Sequence, residues 1–218
     1  MSAGLRVWLS LLVFVAVGYG AYRYLPVGSE TETASATGDA DASGTDKENE
    51  SKVKPGEKPV DLSSFTMTER SGESYNFEQL KGKIWVANTF FASCPHQCRK
   101  MNESVAALQN NPDFADVHFV SVSVDPAADT PKDLAEYADT FSADKDRWLF
   151  MNGKMSDVRR LGDEMGVATG YQTHTRKLIV FDQTGTYRGA FTYNSQEQMS
   201  ELSKLLQELL AAQKDSEG

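Results

Sequence analysis

Two cysteines stand four residues apart in the run Cys94-Pro95-His96-Gln97-Cys98, and they are the only two in the chain. Two thiols so close can exchange electrons as a disulfide, or hold one soft metal ion between them. A lone pair of cysteines cannot build a disulfide framework, and a chain of 218 residues needs none to bury a core. The pair is therefore read as functional rather than as a structural staple. Its spacing is one residue longer than the CxxC usual among oxidoreductases, which tilts the chemistry toward a metal. Two thiolates are soft donors that suit Cu(I) or Zn(II).

A stable site wants a further ligand, and the chain offers only three histidines. His174 is the best placed, in the polar loop Gly170-Tyr171-Gln172-Thr173-His174-Thr175-Arg176 that precedes an apolar strand. His96 lies inside the motif but should point away from helically spaced sulfurs. His118 alternates with Phe119 on a core strand and reads as structural. Met101, Met155 and Met165 read as core packing. Asp125 ends a strand at the dithiol edge of the sheet, where it either caps the next turn or supports a ligand from behind.

The elements that must position these groups follow from periodicity. An apolar run over 84–91 predicts a buried strand, and 98–109 predicts a helix with Met101, Val105 and Leu108 on one face. A helix opening at Cys94 would put Cys98 one turn on, with the Cα atoms about 6 Å apart, within disulfide range. Pro95 would then sit in the first turn. The helix N-terminus would lower a thiol pKa. A second strand spans 117–124 and stops at Asp125-Pro126. Thr130-Pro131 opens a further helix. Residues 155–165 form another, stopped by Gly166. Strands 177–181 and 187–191 flank the turn Asp182-Gln183-Thr184-Gly185. Leucines over 199–210 make a closing amphipathic helix. Phe65–Thr68 and Ser74–Phe77 form an N-terminal hairpin.

This order predicts an α/β fold: a thioredoxin-like mixed central sheet with helices on both faces, an N-terminal hairpin, and an insertion over 125–165. The domain is expected over 59–218. Residues 1–26 read as a membrane anchor or signal sequence. The uncharged stretch 7–22 lies between Arg6 and Arg23 and is short for a span. No clean cleavage site follows it, which favours one uncleaved transmembrane helix. Residues 27–58 hold eight acidic side chains and four lysines with almost no large apolar residue, the composition of a disordered tether. The net charge of −9 argues against nucleic acid as a partner.

Taken together, these residues resemble the Sco/SenC family of copper-binding, thioredoxin-fold cytochrome c oxidase assembly proteins. The resemblance runs from about Phe65 to the C-terminus. It rests on Leu80-Lys81-Gly82-Lys83, the Cys94–Cys98 motif, Val122-Ser123-Val124-Asp125-Pro126 with Asp129-Thr130-Pro131, and His174 before Leu178-Ile179-Val180-Phe181-Asp182-Gln183-Thr184-Gly185. It implies copper, as Cu(I) or Cu(II), held by Cys94, Cys98 and His174. It also implies a membrane-anchored domain in the periplasm or an equivalent compartment, serving the copper-bearing subunit of cytochrome oxidase or another exported copper or thiol protein. His96 and Arg99 stand where the family motif usually carries Asp and a second Pro, and Thr173 stands where an Asp usually precedes the ligand histidine. Three functions follow: a metallochaperone, a thiol:disulfide oxidoreductase in which Cys94 attacks and Cys98 resolves, and a redox or copper sensor.

Overall fold

Residues Ile84–Phe90 are buried along their whole length, which only a strand covered on both faces can achieve. This strand, β3, lies inside a seven-stranded sheet of order β2-β1-β5-β4-β3-β6-β7. The other strands are β1 (Thr66–Glu69), β2 (Ser74–Asn76), β4 (Val117–Ser123), β5 (Trp148–Asn152), β6 (Lys177–Phe181) and β7 (Tyr187–Thr192). The helices are α1 (Gln97–Gln109), α2 (Pro131–Asp139), α3 (Met155–Glu164) and α4 (Gln196–Glu217). This computed structural model describes Gly56, residues 59–173 and residues 175–217. The chain divides into two units, 1–45 and 46–218, and every described residue belongs to the second. The expected anchor over 1–26 and the tether over 27–58, Gly56 excepted, lie outside the described residues. Gly56 donates its N–H to the Tyr187 carbonyl at 2.9 Å. No helix among the described residues is long and apolar enough to cross a membrane.

The sheet is mixed. Strands β3, β4 and β5 run parallel, β6 is antiparallel to β3, and β7 is antiparallel to β6. The hairpin β1–β2 joins the other edge, with β1 antiparallel to β5. Alternation sorts the side chains onto two faces. Ile84, Val86 and Phe90 meet Val105, Leu108, Leu134, Leu202 and Leu206, so α1, α2 and α4 cover one face. Trp85 and Ala87 meet Val158, Leu161, Phe65 and Phe77, so α3 and the N-terminal segment cover the other. Trp85 stacks on Phe181 at 4.1 Å between ring centroids, locking β3 to β6. The arrangement is consistent with the thioredoxin-like fold the sequence predicts.

Local signals hold where chemistry defines them. Thr130 and Asp133 form a capping box at α2, with Pro131 in the first turn. Gly166 takes φ +66° just past α3, a conformation that a side chain resists.

One element was missed. The stretch 125–165, expected as an insertion, holds α2, β5 and α3 between β4 and β6. It carries β5, which pairs in parallel with β4 from Phe119↔Trp148 to Val122↔Met151 and connects to it through α2. Five residues, Trp-Leu-Phe-Met-Asn, are too few for periodicity to separate a buried strand from a helix fragment.

Candidate functional site

β3 delivers the chain to the site. After Phe90 it turns tightly, and the Cys94 N–H closes that turn on the Phe91 carbonyl at 3.1 Å. The helix does not open at Cys94: α1 begins at Gln97, with His96 as N-cap and Pro95 outside it. His96 makes no side-chain capping bond, and no acidic residue stands in the first turn. A sulfur takes the vacant role, because the Cys98 N–H donates to Cys94 Sγ at 3.4 Å.

The two thiols therefore differ. Burial pushes the Cys94 thiol up, but hydrogen bonds from Cys98, His96 and Gln97 outweigh it, and the net shift is downward. Cys98 is fully buried, and burial, with the Cys94 and Asp129 charges, pushes its thiol up to about 12 against hydrogen bonding from the Phe91 backbone. Both cysteines are buried and unpaired, and the Cys98 N–H to Cys94 Sγ bond keeps them side by side. The fit to copper lies in this donor set: two adjacent sulfurs, one already favoured as thiolate and one dry, suit a soft cation.

Two aspartates from the turn after β4 brace the surroundings. Asp129 is buried and accepts from Ser123 Oγ at 2.6 Å and from the Ala92 N–H at 3.2 Å, holding the turn that leads into Cys94. Burial raises its pKa, and those two donors partly offset the rise. Asp125 is 1% exposed and accepts from Gln172 Nε2 at 2.8 Å, while its other oxygen is buried without a partner among the described residues. The Gln172 N–H donates to the Val124 carbonyl at 3.0 Å, and Gln172 holds φ +50°. These bonds pin the loop before β6 to the end of β4. Register puts the start of β6 at the dithiol end of the sheet, since Ala87 pairs with Ile179 and Trp85 with Phe181.

Of the predicted site residues, Cys94 and Cys98 are brought together, and His174 lies outside the described residues. Among the described residues no cluster of three or more His, Cys, Asp or Glu is arranged to hold a metal. His96 is exposed. Arg99 is exposed and reaches along α1 to Glu103 at 3.3 Å. His118 pairs with Trp85, five residues before Phe90 and so about 17 Å from the dithiol end of the strand. Its Nδ1 is buried with no hydrogen bond among the described residues. Met101 is core beneath α1, while Met155 and Met165 pack on the opposite face of the sheet from the cysteines.

Sequence reasoning missed the bracing by Asp129 and Gln172. Asp129 had a usable signal, a carboxylate one residue before an N-cap threonine. Gln172 had none, because its role needs an αL backbone that the sequence does not announce.

Fold and site define a class: an α/β domain that presents a buried, asymmetric dithiol at the end of a central strand. The SCO1/SenC family model matches residues 54–210, and the chain belongs to that family. A SCO1 protein homologue of Bacillus subtilis is 33% identical over 95 residues, 43% of this chain and 49% of the relative. The chain spans about half the length of that relative. Among solved structures, a SCO1/SenC family lipoprotein from Bacillus anthracis is similar at a TM-score of 0.61 and 27% identity, covering 71% of this chain and 98% of that one. BsSco, described as a member of the Sco family of cytochrome c oxidase assembly proteins with a disulfide switch, matches at 0.61 and 21%, over 71% and 94%. Copper-bound ScoI of Bradyrhizobium japonicum matches at 0.52 and 20%, over 66% and 96%. The last two show likeness of fold.

Proposed function

We propose that this chain is a membrane-anchored copper metallochaperone that binds copper through Cys94, Cys98 and His174 and passes it to the copper-bearing subunit of a respiratory cytochrome oxidase or to another exported copper protein. The observation that carries the reading is the Cys98 N–H donating to the Cys94 sulfur at 3.4 Å, which holds the two cysteines together at the mouth of α1. Copper-bound ScoI of similar fold and the membership of BsSco in a family of oxidase assembly proteins support it. In this reading residues 1–26 anchor the chain, 27–58 tether the domain 59–218, and the domain works in the periplasm or an equivalent compartment.

Copper is cargo. Binding Cu(I) converts both thiols to thiolates and releases their protons. The helix end favours charge on Cys94, while the dry surroundings of Cys98 keep water from competing for the ion. Transfer proceeds by ligand exchange, with an incoming thiol or imidazole replacing one sulfur at a time. Cys94, 8% exposed against 0% for Cys98, is the sulfur a partner reaches first.

The same asymmetry supports a second reading, a thiol:disulfide oxidoreductase. Cys94 would attack a substrate disulfide, expelling one substrate thiolate. Cys98 would then displace the second, leaving a Cys94–Cys98 disulfide and a reduced substrate. Cu(I) titration of the reduced full chain and its Cys98→Ser variant separates the two. One equivalent bound by the wild type and lost in the variant supports the chaperone. No uptake by the wild type, with a mixed disulfide trapped by the variant, supports the oxidoreductase.

A further inference from the structure

A row of polar side chains crosses the apolar core beneath the dithiol. Trp148 Nε1 donates to Ser121 Oγ at 2.9 Å, and Ser121 Oγ donates to Asn88 Oδ1 at 2.7 Å. Asn88 Nδ2 donates to Asn102 Oδ1 at 2.7 Å, and Asn102 Nδ2 donates to the Tyr137 hydroxyl at 3.2 Å. Trp148, Ser121, Asn88 and Asn102 are at most 1% exposed. The chain draws one residue from each of β5, β4, β3, α1 and α2, all on the dithiol face.

Its direction is not free. An indole N–H can only donate, so Ser121 accepts from it and turns its own hydrogen to Asn88. That fixes which end of the Asn88 amide faces Ser121, and in turn which end of Asn102 faces Tyr137. The last link fills a lone pair on the phenol oxygen and leaves its hydrogen unspent. The four members behind it are buried and satisfied, while Tyr137 is half-buried at the end of the network and its hydrogen has no acceptor among the described residues.

The dithiol lies in the same cluster. Asn102 is one turn beyond Cys98, the spacing that makes helix neighbours about 5–6 Å apart. The Tyr137 ring stacks on Phe90 at 5.0 Å between centroids and packs against the cluster that contains both cysteines. A phenol keeps its proton at neutral pH and is a donor.

We propose that Tyr137 is a positioning residue of the dithiol: its hydroxyl, aimed by the Trp148–Ser121–Asn88–Asn102 chain, donates a hydrogen bond to the Cys98 sulfur when that sulfur bears negative charge as a metal thiolate. This deepens the copper reading and rests on it. Cys98, dry and reluctant to ionise, gains there a second donor beside the Phe91 backbone, where Cys94 has the N–H groups of the helix end.

The test is Cu(I) affinity of the reduced full chain by chelator competition, together with the sulfur-to-metal charge-transfer band after loading with Cu(II). Tyr137→Phe keeps the ring and removes the donor. It should weaken Cu(I) binding by about tenfold, the size of one hydrogen bond to a charged group, and move the band to lower energy. Placing 3-fluorotyrosine at position 137 keeps the shape, strengthens the donor, and should move the band the other way. Opposite shifts cannot come from a packing role. Unchanged affinity and band in both variants overturn the proposal alone. A wild-type chain that takes up no copper overturns the copper reading with it.

Discussion

The backbone N–H of Cys98 points at the sulfur of Cys94 from 3.4 Å, so the second cysteine of the motif caps its helix onto the first. One thiol is thereby made acidic and reachable, and the other basic and dry. Iodoacetamide applied to the reduced, metal-free chain near neutral pH should alkylate Cys94 roughly tenfold faster than Cys98 or more. Peptide mass spectrometry reads the order. Equal rates, or Cys98 first, would contradict the assignment.

Copper binding should tighten as pH rises. Cys98 keeps its proton at all pH values below about 12 until the metal displaces it. Each proton released steepens the pH dependence of log K by about one unit. Above the lowered Cys94 pKa only the Cys98 proton is displaced, and a slope near one is expected; below it the slope approaches two. Cu(I) competition titrations over about three pH units measure this, and a flat profile would rule out the two-thiol site.

Asp125 and Gln172 tie the loop before β6 to the end of β4. If that tie serves His174, then Asp125→Ala and His174→Ala should each weaken copper binding, and the double variant should lose little more than either alone. Additive losses in the cycle would show that Asp125 acts elsewhere.

His118 provides a pH test of stability at a distance from the site. Burial lowers its pKa below the usual 6.5, Lys83 and Arg147 add to the effect, and the Asp146 backbone and the Asp144 charge oppose it. Below about pH 6.5 the unfolded chain takes up a proton that the folded chain refuses, so stability falls with falling pH. Thermal melts at about pH 7.5 and about pH 5.5 should show a smaller loss for His118→Gln than for wild type. An equal loss would mean that His118 does not carry this dependence.

Much of this was legible in the sequence because the signals were local. The run 84–91 announced β3, Thr130-Pro131 announced the start of α2, and Gly166 announced the end of α3. The dithiol was visible from its spacing alone. The misses were of two physical kinds. β5 was too short to show a period, so a parallel strand of the core passed for an insertion. The helix start was displaced because sequence cannot tell a proline inside the first turn from one just before it, and here Pro95 lies outside. Contacts such as Asp129 with Ala92, or Asn102 with Tyr137, join residues more than thirty positions apart and appear only once the sheet has brought them together.

The central claim is that Cys94, Cys98 and His174 act as one copper site. The most direct test is the Cu(I) dissociation constant of the reduced full chain beside that of His174→Ala. The account predicts one equivalent bound tightly by the wild type and markedly weaker binding in the variant. No stoichiometric uptake, or equal affinity in the two proteins, would contradict it.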